Sequence, residues 1–582
     1  MRAQYPVVDT ALIAAHIEAT PSIARVRATD EECAAANAET ILAILDEASK
    51  FAELHLAPLN DGIDAHGCTL IDGRVTTADG HRQAWAAFVA AGWPTLEQPV
   101  AAGGQGLPLI VAVAAQEVFD RACPAFGMMS VPQRAAAKLI AAHGSPALQT
   151  QWLPSLATGA WGAAITISEV EAGSDVGRIR TQAILQDDGR WQVTGEKCWI
   201  SLGDHDLTPR IGYCLLARTP GAAPGAGGLS LFMVSSVVDT EAGPVRNAVS
   251  VRRIEHKMGL HGSPTCALGF EGAVAELIGT EGRGLAQMFV MITNMRLSVG
   301  VQGLAIAGGC ADTALHYAEE RRQGGTSAQA VRIAEHADVQ RQLLGMIAAV
   351  ETMRGLVLEA ANLAEIAARA TDETERMDAA ALVQWLLPIV KTTGGEIAFD
   401  TASAAMQVLG GAGYTREWPV EQALRDARVL TIFEGTTGIQ ALDLLHRRLL
   451  RGDRRGFDVF RRGADASLAA CPAGEAKRYG ACLGYLDAAA VHLSGMAADT
   501  HGRDAGATAF LHLAALAATG WIAARLCALD DDGSPSHRRL IAAGRHHLHD
   551  IDARAAMLAT QIERAAGSLA PFAQIRVAAA RA

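Results

Sequence analysis

Apolar and polar positions change their spacing along the chain, and the changes mark its parts. Up to about residue 160, Ala, Leu, Glu and Gln recur at helical intervals, as in 35–56 and 82–91, with Gly and Pro breaks between them. This predicts a helical domain over residues 1–160. Beyond Trp161 the runs shorten: 191–195, 211–217 and 229–235 are rich in β-formers, separated by Asp187-Asp188-Gly189 and a Gly/Pro/Ala loop at 219–228. A β-sheet or small barrel is predicted over 161–284. The helical period then returns through 288–321, 331–370 and 377–408 with few breakers, predicting a helical bundle over 285–450. A charged turn at 451–456 opens a further Ala-rich helical extension over 451–582. The fold class is multidomain α+β, in the order helical, β, helical, helical.

Length agrees with that division, since 582 residues exceed the roughly 100–200 of a usual domain. Net charge is −12 with 19% charged residues, and no Lys/Arg run suggests a nucleic-acid track. Ten cysteines without a Cys-x-x-Cys pair argue for reduced thiols and a cytoplasmic location. The first residues lack a basic stretch followed by an apolar one. The most membrane-like run, 510–526, carries His512 and Arg525 and reads as a buried helix, so no membrane span is expected. His546, His547, His549 and Asp550 offer one i, i+4 pair on a predicted helix, a pattern more often solvated than metal-binding, and no metal is expected. No Gly-x-Gly-x-x-Gly opens a βαβ unit, which excludes a Rossmann-type nicotinamide site.

The strongest chemical candidate is Glu434, set after Ile432 and Phe433 and before Gly435-Thr436-Thr437-Gly438. A loop of small residues lets a carboxylate approach a ligand, and apolar neighbours would raise its pKa toward that of a base for carbon acids. Taken alone, such a Glu reads more often as a solvated acid at a helix start.

Its surroundings resemble the C-terminal signature of acyl-CoA dehydrogenases: the Gln-x-x-Gly-Gly-x-Gly-Tyr turn at 407–414, Arg425-Asp426-Ala427, and Ile-Phe-Glu-Gly-Thr-x-x-Ile-Gln at 432–440. Ile165-Thr-Ile-Ser168-Glu169-Val170 through Gly173-Ser174-Asp175 resembles the same family's flavin loop, with Ser168 where Thr is usual and Val170 where Pro is usual. Ser keeps the hydroxyl, but losing Pro removes a fixed φ, so either flavin affinity or loop order is expected to differ. Gly195-Glu-Lys-Cys-Trp199-Ile200-Ser201 resembles the motif that follows it. The stretches 254–266 and 201–207 and the extension after 450 resemble a long branch that includes 3-(methylthio)propanoyl-CoA dehydrogenases.

The resemblance implies FAD as cofactor, with contacts from Ile165, Ile167, Ser168, Ser174, Trp199, Ile200, Ser201, Thr436 and Gly438. Arg321 would meet the diphosphate, and Gln407, Gly410 and Gly411 the adenosine part, both from a second subunit of a homodimer. An acyl-CoA substrate would touch Ser174, Arg296 and Gly435. Glu434 would take the α proton while a hydride leaves the β carbon, giving a trans-2-enoyl-CoA, and an electron-transfer flavoprotein would take the electrons. Two alternatives stay open: an acyl-CoA oxidase, and a flavin-binding relative associated with DNA, for which Arg447-Arg448, Arg451, Arg454-Arg455 and Arg461-Arg462 offer a local basic cluster.

Overall fold

The computed structural model describes residues 4–326, 328–572, 575 and 576. Long helices used below are Thr10–Glu18 (α1), Leu109–Ala122 (α2), Pro124–His143 (α3), Gly284–Glu320 (α4), Ala337–Arg369 (α5), Glu373–Leu409 (α6), Arg455–Ala470 (α7), Ala507–Cys527 (α8) and Pro535–Leu548 (α9). They form two compact units, one continuous over Asp46–Ser298 and one built from Met1–Leu45 together with Val299–Ala582.

The continuous unit carries a seven-stranded sheet of Gly162–Thr166 (β1), Gln182–Leu185 (β2), Trp191–Ser201 (β3), Ile211–Arg218 (β4), Leu229–Ser235 (β5), Val249–Ile254 (β6) and Thr265–Ile278 (β7). The pairings β7–β3, β3–β2, β2–β4, β4–β5 and β5–β7 close a ring, so the expected β region is a small barrel. β4 is buried on both faces, which explains its unbroken apolar run. Tyr213 and Leu215 join one core cluster with Phe232 and Phe270, while Cys214 and Leu216 join another with Trp152, Leu139 and Met291. Helices α2 and α3 precede the barrel, Pro124 opening α3 at a position where its missing N–H costs nothing.

In the discontinuous unit α4 from Val299 onward, α5 and α6 form the expected helical bundle. α4 and α6 cross with their backbones in contact: a Cβ on Gly303 would lie 2.1 Å from the Gly394 carbonyl oxygen. The extension packs on this bundle through Trp385 of α6, which meets Phe457 and Phe460 of α7 and Phe510 of α8 with ring centroids 5.2–6.4 Å apart.

The described residues up to Leu45 depart from the expected 1–160 domain, because they group with this bundle. His16 of α1 bonds through Nε2 to the Glu351 carbonyl at 2.9 Å, and Ser22 donates to the Glu359 carboxylate at 2.8 Å. The extension reaches the same two residues of α5, Arg539 donating to Glu351 at 2.7 Å and Arg525 to Glu359 at 3.0 Å. Among the described residues two helices, α4 and α8, are long and apolar enough to span a bilayer, but most of each apolar stretch is buried within the protein. Only the second was singled out by sequence.

Candidate functional site

In the continuous unit, the loop after β1 and the end of β3 form one structure. Lys197, wholly buried, donates from Nζ to the carbonyls of Ile167 and Leu216 and to the Glu169 carboxylate, each at 2.9 Å. Glu169 in turn accepts from the backbone N–H groups of Arg180 (2.7 Å) and Thr181 (3.1 Å) and from the Thr181 hydroxyl (2.6 Å). Burial pulls the Lys197 ammonium down to about 8, offset in part by Glu169. Burial works against the Glu169 carboxylate, yet Lys197 and the donated hydrogen bonds outweigh it and hold that group below the usual range.

Two backbone bonds, Glu169 N–H to the Ala172 carbonyl and the reverse, close the turn around Val170. Glu169 thus constrains the loop at the place where the fixed φ of a Pro is absent. Arg218 secures the far end of the loop by donating to the carbonyls of Gly177, Ile179, Ala223 and Gly225.

Trp199 stands on a β-bulge. Ile200 pairs with Cys266 and Lys197 with Leu268, so Cys198 and Trp199 together face the single residue Ala267. The extra residue gives Trp199 a φ of +60° and turns its indole outward, 62% exposed. Leaving so much of an indole in water forfeits on the order of 3 kcal/mol of burial. Ordinary core packing is thereby ruled out for this residue. Ile200, next along, points into the barrel core, so only its backbone is available to a cofactor. Ile165 and Ile167 are half-buried against the second core cluster, Ser168 and Ser201 are half-buried, and Ser174 is exposed.

In the discontinuous unit, Glu434 lies in a loop between Arg428–Thr431 and the helix Thr437–Leu442. Its φ is +55°, a conformation uncommon for any non-glycine residue, and Gly435 follows at +94°. The Glu434 side chain is half-buried, with Ile432 exposed beside it. The Glu434 carbonyl accepts from the Gln440 amide at 2.8 Å, and the Gly435 carbonyl from Lys391 Nζ of α6 at 2.7 Å. Thr436 is the N-cap of the helix that follows, its hydroxyl accepting from the Ile439 N–H at 3.4 Å, and Gly438 is exposed in that helix's first turn.

Arg321 follows the last turn of α4 and is exposed, as are Gln407, Gly410 and Gly411 at the end of α6. Tyr317 and Trp418, 5.2 Å apart between ring centroids, bring these two regions together on one end of the unit. A Cβ at Gly410 or Gly411 would meet nothing within 4 Å, which leaves the approach that a dinucleotide requires. Arg296, in contrast, is 7% exposed.

Apart from the exposed Arg451, the arginines of the cluster near residue 450 are each set against an acid. Arg455 and Arg462 share Asp378, Arg461 meets Asp465 and Asp487, Arg447 and Arg448 meet Asp443, and Arg454 meets Asp458. The histidine cluster also disperses. α9 ends at Leu548, so His546 and Asp550 do not share a helix, and His547 turns into the core, where burial pushes its imidazole down to about 3. Among the described residues no group of three His, Cys, Asp or Glu side chains is arranged to hold a metal ion.

These features fit a flavin: an outward indole on a rigid bulge, a loop with hydroxyls fixed at both ends, and an open glycine turn that admits a dinucleotide. Sequence reasoning missed Glu169, Lys197 and Arg218, which fix the loop, and Lys391 and Gln440, which hold the Glu434 backbone. The first two lie inside the quoted motifs. Lys391 is marked only by being a lone cation in an apolar helical stretch.

Comparison with known proteins gives matches to the acyl-CoA dehydrogenase N-terminal domain over residues 38–160, the middle domain over 164–273 and the C-terminal domain over 282–450. A 3-methylmercaptopropionyl-CoA dehydrogenase of Ruegeria pomeroyi is 36% identical over 90% of each chain. A broad-specificity linear acyl-CoA dehydrogenase, FadE5 of Mycobacterium tuberculosis, is 37% identical over 63% of this chain and 62% of its own. Among solved structures, Caenorhabditis elegans ACDH-11 in complex with C11-CoA shares the fold with a TM-score of 0.75 at 20% identity, covering 94% of this chain and 92% of the other. An acyl-CoA dehydrogenase from Bacillus anthracis complexed with FAD gives 0.73 at 21% identity, covering 90% and 88%.

Proposed function

The chain belongs to the acyl-CoA dehydrogenase family, whose cofactor is FAD, and from that premise we propose that it oxidises an acyl-CoA thioester to the trans-2-enoyl-CoA with Glu434 as the base. The observation that carries this reading is the left-handed backbone of Glu434, held from behind by Gln440 and Lys391. Strain of this kind in a non-glycine residue persists only where the surroundings over-determine it, and it gathers at reacting positions.

The α C–H of a thioester is too weak an acid for water to deprotonate usefully, so the reaction needs a fixed carboxylate and a polarised carbonyl. Glu434 takes the α proton on its carboxylate. The family resemblance adds that its own N–H would help to hold the thioester oxygen. FAD, when bound, supplies the acceptor for the β hydride at its N5. Trp199 gives the ring a flat apolar neighbour, and Ser168 and Ser201 offer hydroxyls to its polar edge. Arg321 and the turn at Gln407, Gly410 and Gly411 would serve the FAD of a second copy, making the working form at least a dimer. Reoxidation by an electron-transfer flavoprotein completes the turnover.

The test is anaerobic titration of the holoenzyme with a panel of CoA thioesters, including 3-methylmercaptopropionyl-CoA and straight-chain acyl-CoAs, following loss of flavin absorbance. Glu434→Gln is expected to retain FAD and lose bleaching with every thioester. Wild-type rates in that variant would remove Glu434 as the base. Rapid peroxide formation in air, without need of a flavoprotein acceptor, would make the enzyme an oxidase.

A further inference from the structure

We infer that Lys391 is a positioning residue for proton abstraction, a buried cation of α6 that fixes the backbone carrying Glu434; this rests on the assignment of Glu434 as the base. Lys391 lies among Leu386, Leu387, Ile389 and Val390, and none of its surface is exposed. An ammonium in such a place is retained only if something holds it, since burial without partners strongly disfavours the charged form. Its Nζ donates to the Gly435 carbonyl at 2.7 Å, the short distance of a charge-assisted bond. Gln440, also without exposed surface, donates to the preceding carbonyl, that of Glu434, at 2.8 Å. Two consecutive peptide oxygens are thus tied to two buried donors from different helices.

The tether acts where the backbone is least able to hold itself. Glu434 at φ +55° occupies a conformation that an unrestrained non-glycine residue would leave, and Gly435 beside it at φ +94° adds no stiffness of its own. A side chain on Gly435 would be strained at φ +94°, and its Cβ, 2.8 Å from Gln440 Nε2, would push that donor aside. One turn beyond Lys391, a Cβ on Gly395 would lie 3.0 Å from the Leu430 carbonyl, so α6 also presses on the segment that enters the loop. α6 therefore grips the loop on both sides of Glu434, and Lys391 supplies the directional part of that grip. Without it the carboxylate samples orientations that do not reach the α hydrogen, and the rate falls more than binding does.

The experiment is anaerobic stopped-flow flavin reduction by a thioester substrate in Lys391→Met holoenzyme. Methionine keeps the length and removes the donor. The reduction rate constant is expected to fall by about 30-fold, the worth of one charge-assisted hydrogen bond. FAD content and the Kd for a non-reacting thioester should stay within about twofold of wild type. The pH midpoint of the reduction rate should move as well, a readout that simple destabilisation leaves in place. A folded Lys391→Met enzyme with wild-type rate and midpoint overturns the inference. If that variant does not yield folded holoenzyme, Gln440→Met decides in its place: an expected fall of about fivefold with a shifted midpoint supports the tether, and unchanged values overturn it. Glu434→Gln run in parallel separates the two assignments. Activity in Glu434→Gln sinks the base, whereas an inactive Glu434→Gln beside a normal Lys391→Met sinks only the tether.

Discussion

The Lys197 ammonium and the Glu169 carboxylate, 2.9 Å apart and nearly inaccessible to water, join the two stretches that the flavin is expected to meet. Removing one partner strands the other charge. Glu169→Ala should destabilise the barrel-bearing unit by roughly 3–5 kcal/mol and free the loop through Ser174. Differential scanning calorimetry and the flavin absorbance retained after gel filtration check both effects. Lys197→Met should cost less, because Glu169 keeps the N–H groups of Arg180 and Thr181 and the Thr181 hydroxyl. Equal stability and equal flavin retention in both variants would contradict this account.

Acid should weaken the same unit. Burial pushes both His81 and His205 down to about 4, so between about pH 6.5 and 4 the unfolded chain binds protons that the folded chain refuses. Stability therefore falls as pH drops through that window, by roughly 3 kcal/mol per histidine at its lower end. Neither ring nitrogen of His81 has a hydrogen-bond partner in the structure, so His81→Leu should shallow the slope with little loss at pH 7. Urea unfolding followed at pH 7 and pH 5 gives the comparison.

Where α4 and α6 cross, no side chain fits at Gly303. Gly303→Ala would press its methyl onto the Gly394 carbonyl, and Gly394 is three residues from Lys391. The expected cost is about 1–3 kcal/mol, with a slower flavin reduction as α6 shifts. Thermal unfolding together with single-turnover kinetics would register the pair of effects, and an unchanged melting temperature would count against the close crossing.

The extension after residue 450 should be inseparable from the bundle. Trp385, with no exposed surface, depends on Phe457, Phe460 and Phe510 for its cover, and Glu351 on Arg539. Arg539→Met leaves Glu351 with its remaining partner Arg354 and without that bond, and should cost roughly 3–5 kcal/mol. Chemical denaturation measures it. A variant as stable as wild type would mean that the contact carries no weight.

Local pattern made much of this legible. The helical period of α4, α5 and α6 and the unbroken β4 run declare themselves, and Glu434 stands inside a motif whose small residues point to a ligand. The allegiance of residues 1–45 was hidden, because α1 has the same periodicity whichever surface it covers, and its partners Glu351 and Glu359 lie more than 300 residues on. Trp199 was expected to serve the flavin, but its outward aim comes from a bulge that only the pairing across to Ala267 reveals. At Val170 the missing Pro is visible in the sequence, whereas the bonds that Glu169 makes around it are not. Lys391 gave no local sign of its partner, since the carbonyl it reaches belongs to a loop 44 residues later.

The discontinuous unit also constrains how the chain is made. Asp46–Ser298 is one continuous stretch, its core completed by Met288, Met291 and Met295 at the start of α4, so it can mature during synthesis once those residues emerge. The opening segment cannot, because α1 docks beside Glu351, whose cover is finished only by Arg539. At roughly 5–20 residues per second, residues 1–45 wait on the order of half a minute to two minutes for that surface to exist. During that interval the apolar stretch of α1 emerges without its binding place, which makes it a segment in need of chaperone cover.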